Sequence, residues 1–204
     1  MENRVTSILL SGVGGQGIIL ASELICDVLV SCGFDVKKNE IHGMSQRGGS
    51  VTSHIRFGEK VASPVIPAGE ADYLLGFEKL EGYRYLYMLK EGGVLLMNDY
   101  ELIPSSMVVK KVSLYPADLS DRIAAAGAGA ETTWIAAQEI AEKLGNPRTA
   151  NIVLVGLLAG RLQKIQKNLS TDQAAWISAL EARVKPRYVE INKKAFAEGW
   201  NRSE

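Results

Sequence analysis

The stretch Gly12-Val-Gly-Gly-Gln-Gly17 constrains this chain more than any other. It follows a short apolar, β-branched run from Val5 to Leu10 and precedes apolar residues at helical spacing from Ile18 to Leu29, with Gly33 placed as a C-terminal stop. Strand, glycine turn and helix in that order give the G-x-G-x-x-G pattern its meaning. The glycines let the backbone turn tightly and approach a ligand, while N–H groups and the dipole at the helix start favour an anion such as a diphosphate. Close packing of helix on strand, with nothing bound, uses the same glycines. A dinucleotide site also wants an acidic residue about 20 positions further on, at the end of the second strand. Here Asp35 comes too early in that strand and Glu40 too late, which argues against a plain NAD site.

The rest of the chain extends this beginning into an α/β fold. Phe34 to Lys37 reads as a second strand, and Val51 to Phe57 alternates with period two. Gly58-Glu59 can turn that strand back through Lys60 to Ser63, so a hairpin is expected there. Asp72 to Phe77 reads as a buried strand, Leu80 to Leu89 as a helix, Val94 to Asn98 as another strand, and Met107 to Val112 as a further one. Helices are expected at Ser120 to Ala126, Glu131 to Leu144 and Thr149 to Leu162. Two more follow, one capped within Ser170-Thr-Asp-Gln and ended by Pro186, the last near Val189 to Gly199. GAGAE at 127–131 is expected to be a helix–helix turn. The expected architecture is a Rossmann-like, mostly parallel sheet with helices on both faces, a β-hairpin insertion and a helical C-terminal part. At 204 residues, one domain over 1–204 accommodates it.

Composition removes several classes of function. Lys+Arg and Asp+Glu both number 23, so no net charge draws the chain to nucleic acid or to an anionic membrane. Cys26 and Cys32 are the two cysteines, too few for a zinc or iron–sulfur centre, so any such centre is expected on another chain. The N-terminus lacks an apolar signal region, and no apolar run approaches the roughly 20 residues that cross a bilayer; a cytoplasmic location is expected. Walker A, G-x-S-x-G and H-E-x-x-H patterns are missing as well, so a self-sufficient catalyst is not expected.

A second motif, EIHGMSQRGGSV at 40–51, concentrates hydrogen-bonding groups and glycine about thirty residues after the first. Arg47 can fork onto a carboxylate or phosphate, Gln46 and Ser45 can hydrogen-bond, and Gly48-Gly49 let backbone approach a ligand. His42 can exchange a proton near neutral pH, although a lone histidine is more often structural. His54, on an alternating strand, is expected at the surface. Glu78 and Glu81, beside Lys79 and Arg84, are expected on a solvated helix face. Tyr83, Tyr85 and Tyr87 suit core packing or a subunit contact.

Five segments together carry a family resemblance: GVGGQG at 12–17, EIHGMSQRGGSV at 40–51, SPVIPAGEAD at 63–72, LLGFEKLE at 74–81 and EGGVLLMND at 91–99. In order and spacing the chain resembles the gamma subunits of the 2-oxoacid:ferredoxin oxidoreductases, and within them the small subunits of the indolepyruvate branch. The resemblance is looser in the second half, where it rests on NPRTANIVLVGLLAG at 146–160 and the terminal AFAEGW. The HGMSQ lead into Arg-Gly-Gly departs from the tyrosine–glycine–proline–glutamate-like lead of the pyruvate and 2-oxoglutarate branches. The resemblance implies a single gamma-type domain that is inactive alone. A large alpha-type partner would carry thiamine diphosphate and [4Fe–4S] clusters, coenzyme A would be co-substrate, and ferredoxin the electron acceptor. It also implies that Gly12, Gly14, Gly15, Gln16 and Gly17, with Gly48 and Gly49, face the partner's cofactor or the coenzyme, with Gln46 and Arg47 as candidate contacts and no catalytic residue assigned. Other 2-oxoacid branches, a stand-alone nucleotide-binding oxidoreductase and a purely structural subunit are the competing readings.

Overall fold

The structure, a computed structural model, describes residues 5–43, 48–102, 115–165 and 172–203. Six strands form one sheet: β1 (Thr6–Val13), β2 (Asp35–His42), β3 (Ser50–Gly58), β4 (Ala71–Gly76), β5 (Leu89–Asn98) and β6 (Glu131–Ile135), in the spatial order β2-β3-β1-β4-β5-β6. β1, β4, β5 and β6 run parallel, while β3 is antiparallel to both its neighbours. Between them pack the helices α1 (Ile18–Ser31), α2 (Lys79–Arg84), α3 (Leu119–Ala126), α4 (Ala137–Lys143), α5 (Ala150–Ile165), α6 (Gln173–Arg183) and α7 (Val189–Asn201).

Side-chain alternation explains the two layers. Ile8 and Leu10 of β1, with Leu96 of β5, point into a large core beneath α1, α5 and α7; Leu9, Leu95 and Met97 point into a smaller one beneath α2 and α3. The central strands are thus apolar on both faces, as parallel strands covered on both sides require. The C-terminal helices approach backbone to backbone: a Cβ on Gly199 would lie 1.8 Å from the Val153 carbonyl oxygen and one on Gly156 2.1 Å from that of Phe196. Asp172 caps α6 through the Ala175 N–H, and Gly33, at φ 85°, closes α1, both as the sequence suggests.

Several expectations need correction. The hairpin partner of β3 is β2, registered from Asp35 opposite Gly58 to His42 opposite Val51, and not residues 60–63. The strand expected at 34–37 is thus the start of the eight-residue β2, and the motif at 40–51 spans the end of β2, the hairpin's connection and the start of β3. Glu131–Ile135 is strand β6 and not helix, because Thr132, Thr133 and Trp134 pair with β5; GAGAE therefore joins a helix to a strand. Leu80 to Leu89 is the short α2, a 3-10 turn at Leu86–Met88 and the beginning of β5. The strand expected at 107–112 lies outside the described residues.

Candidate functional site

The glycine turn sits at the carboxyl end of β1, where the sheet passes from the antiparallel β3 to the parallel β4. Open α/β sheets bind ligands outside the carboxyl ends of their strands at such a place. The glycines divide by role. A Cβ on Gly12 would meet the Phe77 Cβ and Gln16 Oε1 at 2.7 Å each, and one on Gly17, at φ 76°, would meet Asn151 Nδ2 at 2.5 Å. Gly12 lets the start of α1 and the end of β4 close on β1, and Gly17 lets α5 approach the turn. Gly15, at φ 105°, has open space where a Cβ would go, so its backbone is bared to whatever lies in front.

The turn staples itself. Gln16 Oε1 accepts the Val13 N–H at 2.7 Å, its Nε2 donates to the Phe77 carbonyl at 3.2 Å, and its own N–H returns to the Val13 carbonyl at 3.1 Å. The Gln16 amide is thereby engaged in shaping the backbone. Asn151, near the start of α5, donates to the Gly17 carbonyl at 3.2 Å. Asn98 ties three elements: it donates to the Phe77 carbonyl and accepts from the Ala137 N–H, both at 3.0 Å.

The two sequence motifs meet. The Gly14 N–H donates to the Gly49 carbonyl at 2.9 Å, while the Gly43 N–H reaches the Ser50 carbonyl at 2.8 Å, so Gly49, just before β3 begins, lies against the glycine turn. One N–H of the turn is therefore already taken; those of Gly15 and Gly17 have no acceptor among the described residues. Gln46 and Arg47, the candidate contacts of the second motif, lie outside the described residues, between Gly43 and Gly48. Two clefts flank the turn. One, ≈ 710 Å³, runs from Gly14, Gly15 and Gly17 past Tyr100 and Gln138 to Arg148. The other, ≈ 640 Å³ and mostly apolar, lies between Ile18, Ile19, His42 and Val51. His42 is exposed at the end of β2, beside the second cleft.

Sequence reasoning missed Asn98, Asn151 and Arg148. Asn98, a polar residue ending an apolar strand, was the one with a legible signal. Asn151 reaches the turn across 134 residues of sequence, and Arg148 lines the same cleft from the neighbouring turn, neither of which a local pattern reports.

Three polar residues expected in solvent are buried. His54 is 5% exposed, its Nδ1 accepts the Ile66 N–H at 3.2 Å, and burial holds its pKa below the ordinary histidine value. Glu78, 1% exposed, caps α2: it accepts the Glu81 N–H at 2.9 Å, the Leu102 N–H at 3.3 Å and the Tyr115 hydroxyl. Burial and that carboxylate push the Tyr115 pKa upward. Glu81, 6% exposed, accepts the Ser50 hydroxyl at 2.6 Å. None of the three faces either flanking cleft. Burial also pushes the Cys26 thiol to about 12, which leaves it protonated and a poor nucleophile. Among the described residues, no group of three His, Cys, Asp or Glu side chains could hold a metal ion, and no helix is long and apolar enough to cross a membrane.

Residues 7–202 match the family model for pyruvate ferredoxin/flavodoxin oxidoreductase. A Thermococcus kodakarensis protein named indolepyruvate oxidoreductase subunit IorB is 36% identical over 194 residues, covering 95% of this chain and 93% of its own. Its Archaeoglobus fulgidus namesake is 34% identical over 201 residues, covering 97% and 94%. Among solved structures, the gamma subunit of a keto/oxoacid ferredoxin oxidoreductase from Geobacter sulfurreducens superposes with a TM-score of 0.69 at 26% identity, over 97% of this chain and 98% of that one. A 2-oxoglutarate:ferredoxin oxidoreductase from Magnetococcus marinus shares the fold at TM-score 0.73 and 17% identity; 99% of this chain aligns with 31% of that longer one.

Proposed function

Because the chain belongs to the pyruvate ferredoxin/flavodoxin oxidoreductase family, we propose that it is the small subunit of a 2-oxoacid:ferredoxin oxidoreductase of the indolepyruvate type. The observation that carries this reading is the agreement, along nearly the whole of both chains, with proteins named as that subunit. The reaction takes an aryl 2-oxoacid, coenzyme A and two oxidised ferredoxins to the acyl-coenzyme A, carbon dioxide, a proton and two reduced ferredoxins. Thiamine diphosphate, on a large companion chain, supplies the electron sink for decarboxylation. The two cysteines here are fewer than the four thiolates of one [4Fe–4S] cluster, which supports placing the clusters on that companion too.

This chain's part is to present polar, non-titrating surface. Gly15 and Gly17 offer backbone N–H groups at the start of α1, and Arg148 stands across the ≈ 710 Å³ cleft without a carboxylate partner among the described residues. Such a surface suits the carboxylate of an oxo acid or a phosphate of coenzyme A. Arg47, outside the described residues and two positions before the Gly49 that meets the glycine turn, is a further contact in this reading. The test is the complex reconstituted with its large chain and assayed with indolepyruvate, coenzyme A and ferredoxin. Arg47→Ala is expected to lower kcat/KM at least tenfold, about 1.4 kcal/mol, with assembly intact. Unchanged kcat/KM removes Arg47 from the site, and a wild-type complex that turns over no 2-oxoacid overturns the reading.

A further inference from the structure

Outside the two clefts, a buried carboxylate holds the foot of the hairpin connection. Glu81 Oε2 accepts the Ser50 hydroxyl at 2.6 Å, the Tyr85 hydroxyl lies 3.2 Å from the same Ser50 oxygen, and the Arg84 Nε stands 3.3 Å from the other Glu81 oxygen. Ser50 is the first residue of β3, opposite Val13 in β1, and its carbonyl receives the Gly43 N–H. It is thus the point at which the connection rejoins the sheet. The residue before it, Gly49, carries the carbonyl that occupies the Gly14 N–H.

Glu81 is a fixed post. Its own N–H is bonded to the Glu78 carboxylate, and the next residue, Gly82, has no room for a Cβ, which would lie 2.3 Å from the Met97 Cε. A Cβ on Gly76 would likewise lie 3.3 Å from the Gly82 Cα, so α2 is seated close on β4 and β5. A hydroxyl held at 2.6 Å by a carboxyl group on such a base is strongly localised.

We propose that Glu81 is a positioning residue: through Ser50 it holds Gly49 against the glycine turn, and so fixes the arrangement of the backbone N–H groups that the turn presents to a ligand. The proposal rests on the functional reading above for its kinetic consequence, and on geometry alone for its structural one. Loosening Ser50 frees Gly49, and with it the Gly14 N–H, before it disturbs the core of the sheet.

Hydrogen exchange and kinetics on the reconstituted complex test the two halves separately. Ser50→Ala is expected to speed exchange of the Gly14 amide about tenfold, as loss of one hydrogen bond at a local opening site does, while Leu75 in β4 exchanges as before. Glu81→Ala is expected to do the same, and the double variant no more than either single one, because both remove one interaction. Ser50→Thr, which keeps the hydroxyl, is expected to restore protection. In steady state Ser50→Ala is expected to lower kcat/KM for indolepyruvate by about tenfold. Unchanged Gly14 exchange in Ser50→Ala overturns the proposal, as does faster exchange with unchanged kcat/KM. Absence of oxo-acid turnover in the wild-type complex overturns the functional reading instead, and the exchange result still decides whether Glu81 governs the closure.

Discussion

At the scale of single residues, the glycine motif is two kinds of position in one pattern. Gly12 is enclosed by Phe77 and Gln16, so Gly12→Ala overpacks a filled space and is expected to cost about 1–3 kcal/mol, read as a fall in the chemical-denaturation midpoint. Gly15→Ala meets no neighbour and carries the strain of φ 105° alone, about 1–3 kcal/mol at most; its effect should fall on ligand binding more than on packing. Spacing could not separate these two roles, since both demand glycine. His54 shows the same limit from the other side. Period-two alternation places it correctly on β3 but cannot say that both faces of that strand are covered. Its pKa is depressed by burial, so the unfolded chain binds the extra proton as the pH falls below 6.5. The stability this represents is complete above that value and is lost as the pH drops through the lower native one. His54→Asn, which keeps an acceptor for the Ile66 N–H, should therefore flatten the decline in melting temperature between pH 7 and pH 5 relative to the wild type.

At the scale of elements, the strand–turn–helix beginning and the C-terminal helices were legible because their periodicity is local and their caps are conventional. β6 was not. Ala-rich flanks made Glu131–Ile135 look like part of a helix, and its pairing with β5 is a long-range fact that overrides local preference. The α2 carboxylates were misplaced for a related reason. A Glu-Lys-Leu-Glu run has the look of a solvated face, yet the 99–102 segment returns over it: Lys79 is paired with Glu101 at 3.1 Å, and Leu102 donates to Glu78. Glu78 is then an N-cap that also closes a tertiary contact. Glu78→Ala removes the acceptor of two backbone N–H groups and of the Tyr115 hydroxyl, and is expected to cost about 2–4 kcal/mol. Tyr115→Phe, which deletes one of those bonds, is expected to cost about 1–2 kcal/mol. Denaturant titration of the two variants separates the cap from the clamp.

At the scale of the whole molecule, the sheet order decides between the oxidoreductase subunit and a free-standing dinucleotide enzyme. In a dinucleotide fold the strand beside β1 on the ribose side runs parallel to it and ends in the acidic residue that holds the ribose. Here the neighbour on that side is β3, running the other way, so the place of that carboxylate is taken by the strand's beginning at Ser50 and Val51. β2 is displaced one strand outward, and its Glu40 is turned to Lys38 at 2.8 Å and to Ser22 at 3.5 Å. The hairpin thus explains both why the sequence lacks a well-placed acid and why the second motif arrives beside the first. The connection that displaces the ribose partner is the same one that brings Gly49 to Gly14. NAD should accordingly leave the melting temperature of the isolated chain where it is. A ligand bound only to the folded state at 100 times its dissociation constant adds about 2.7 kcal/mol, which a thermal scan resolves easily. An upward shift with NAD would return the molecule to the nucleotide-binding enzymes and require a ribose partner elsewhere than beside β1.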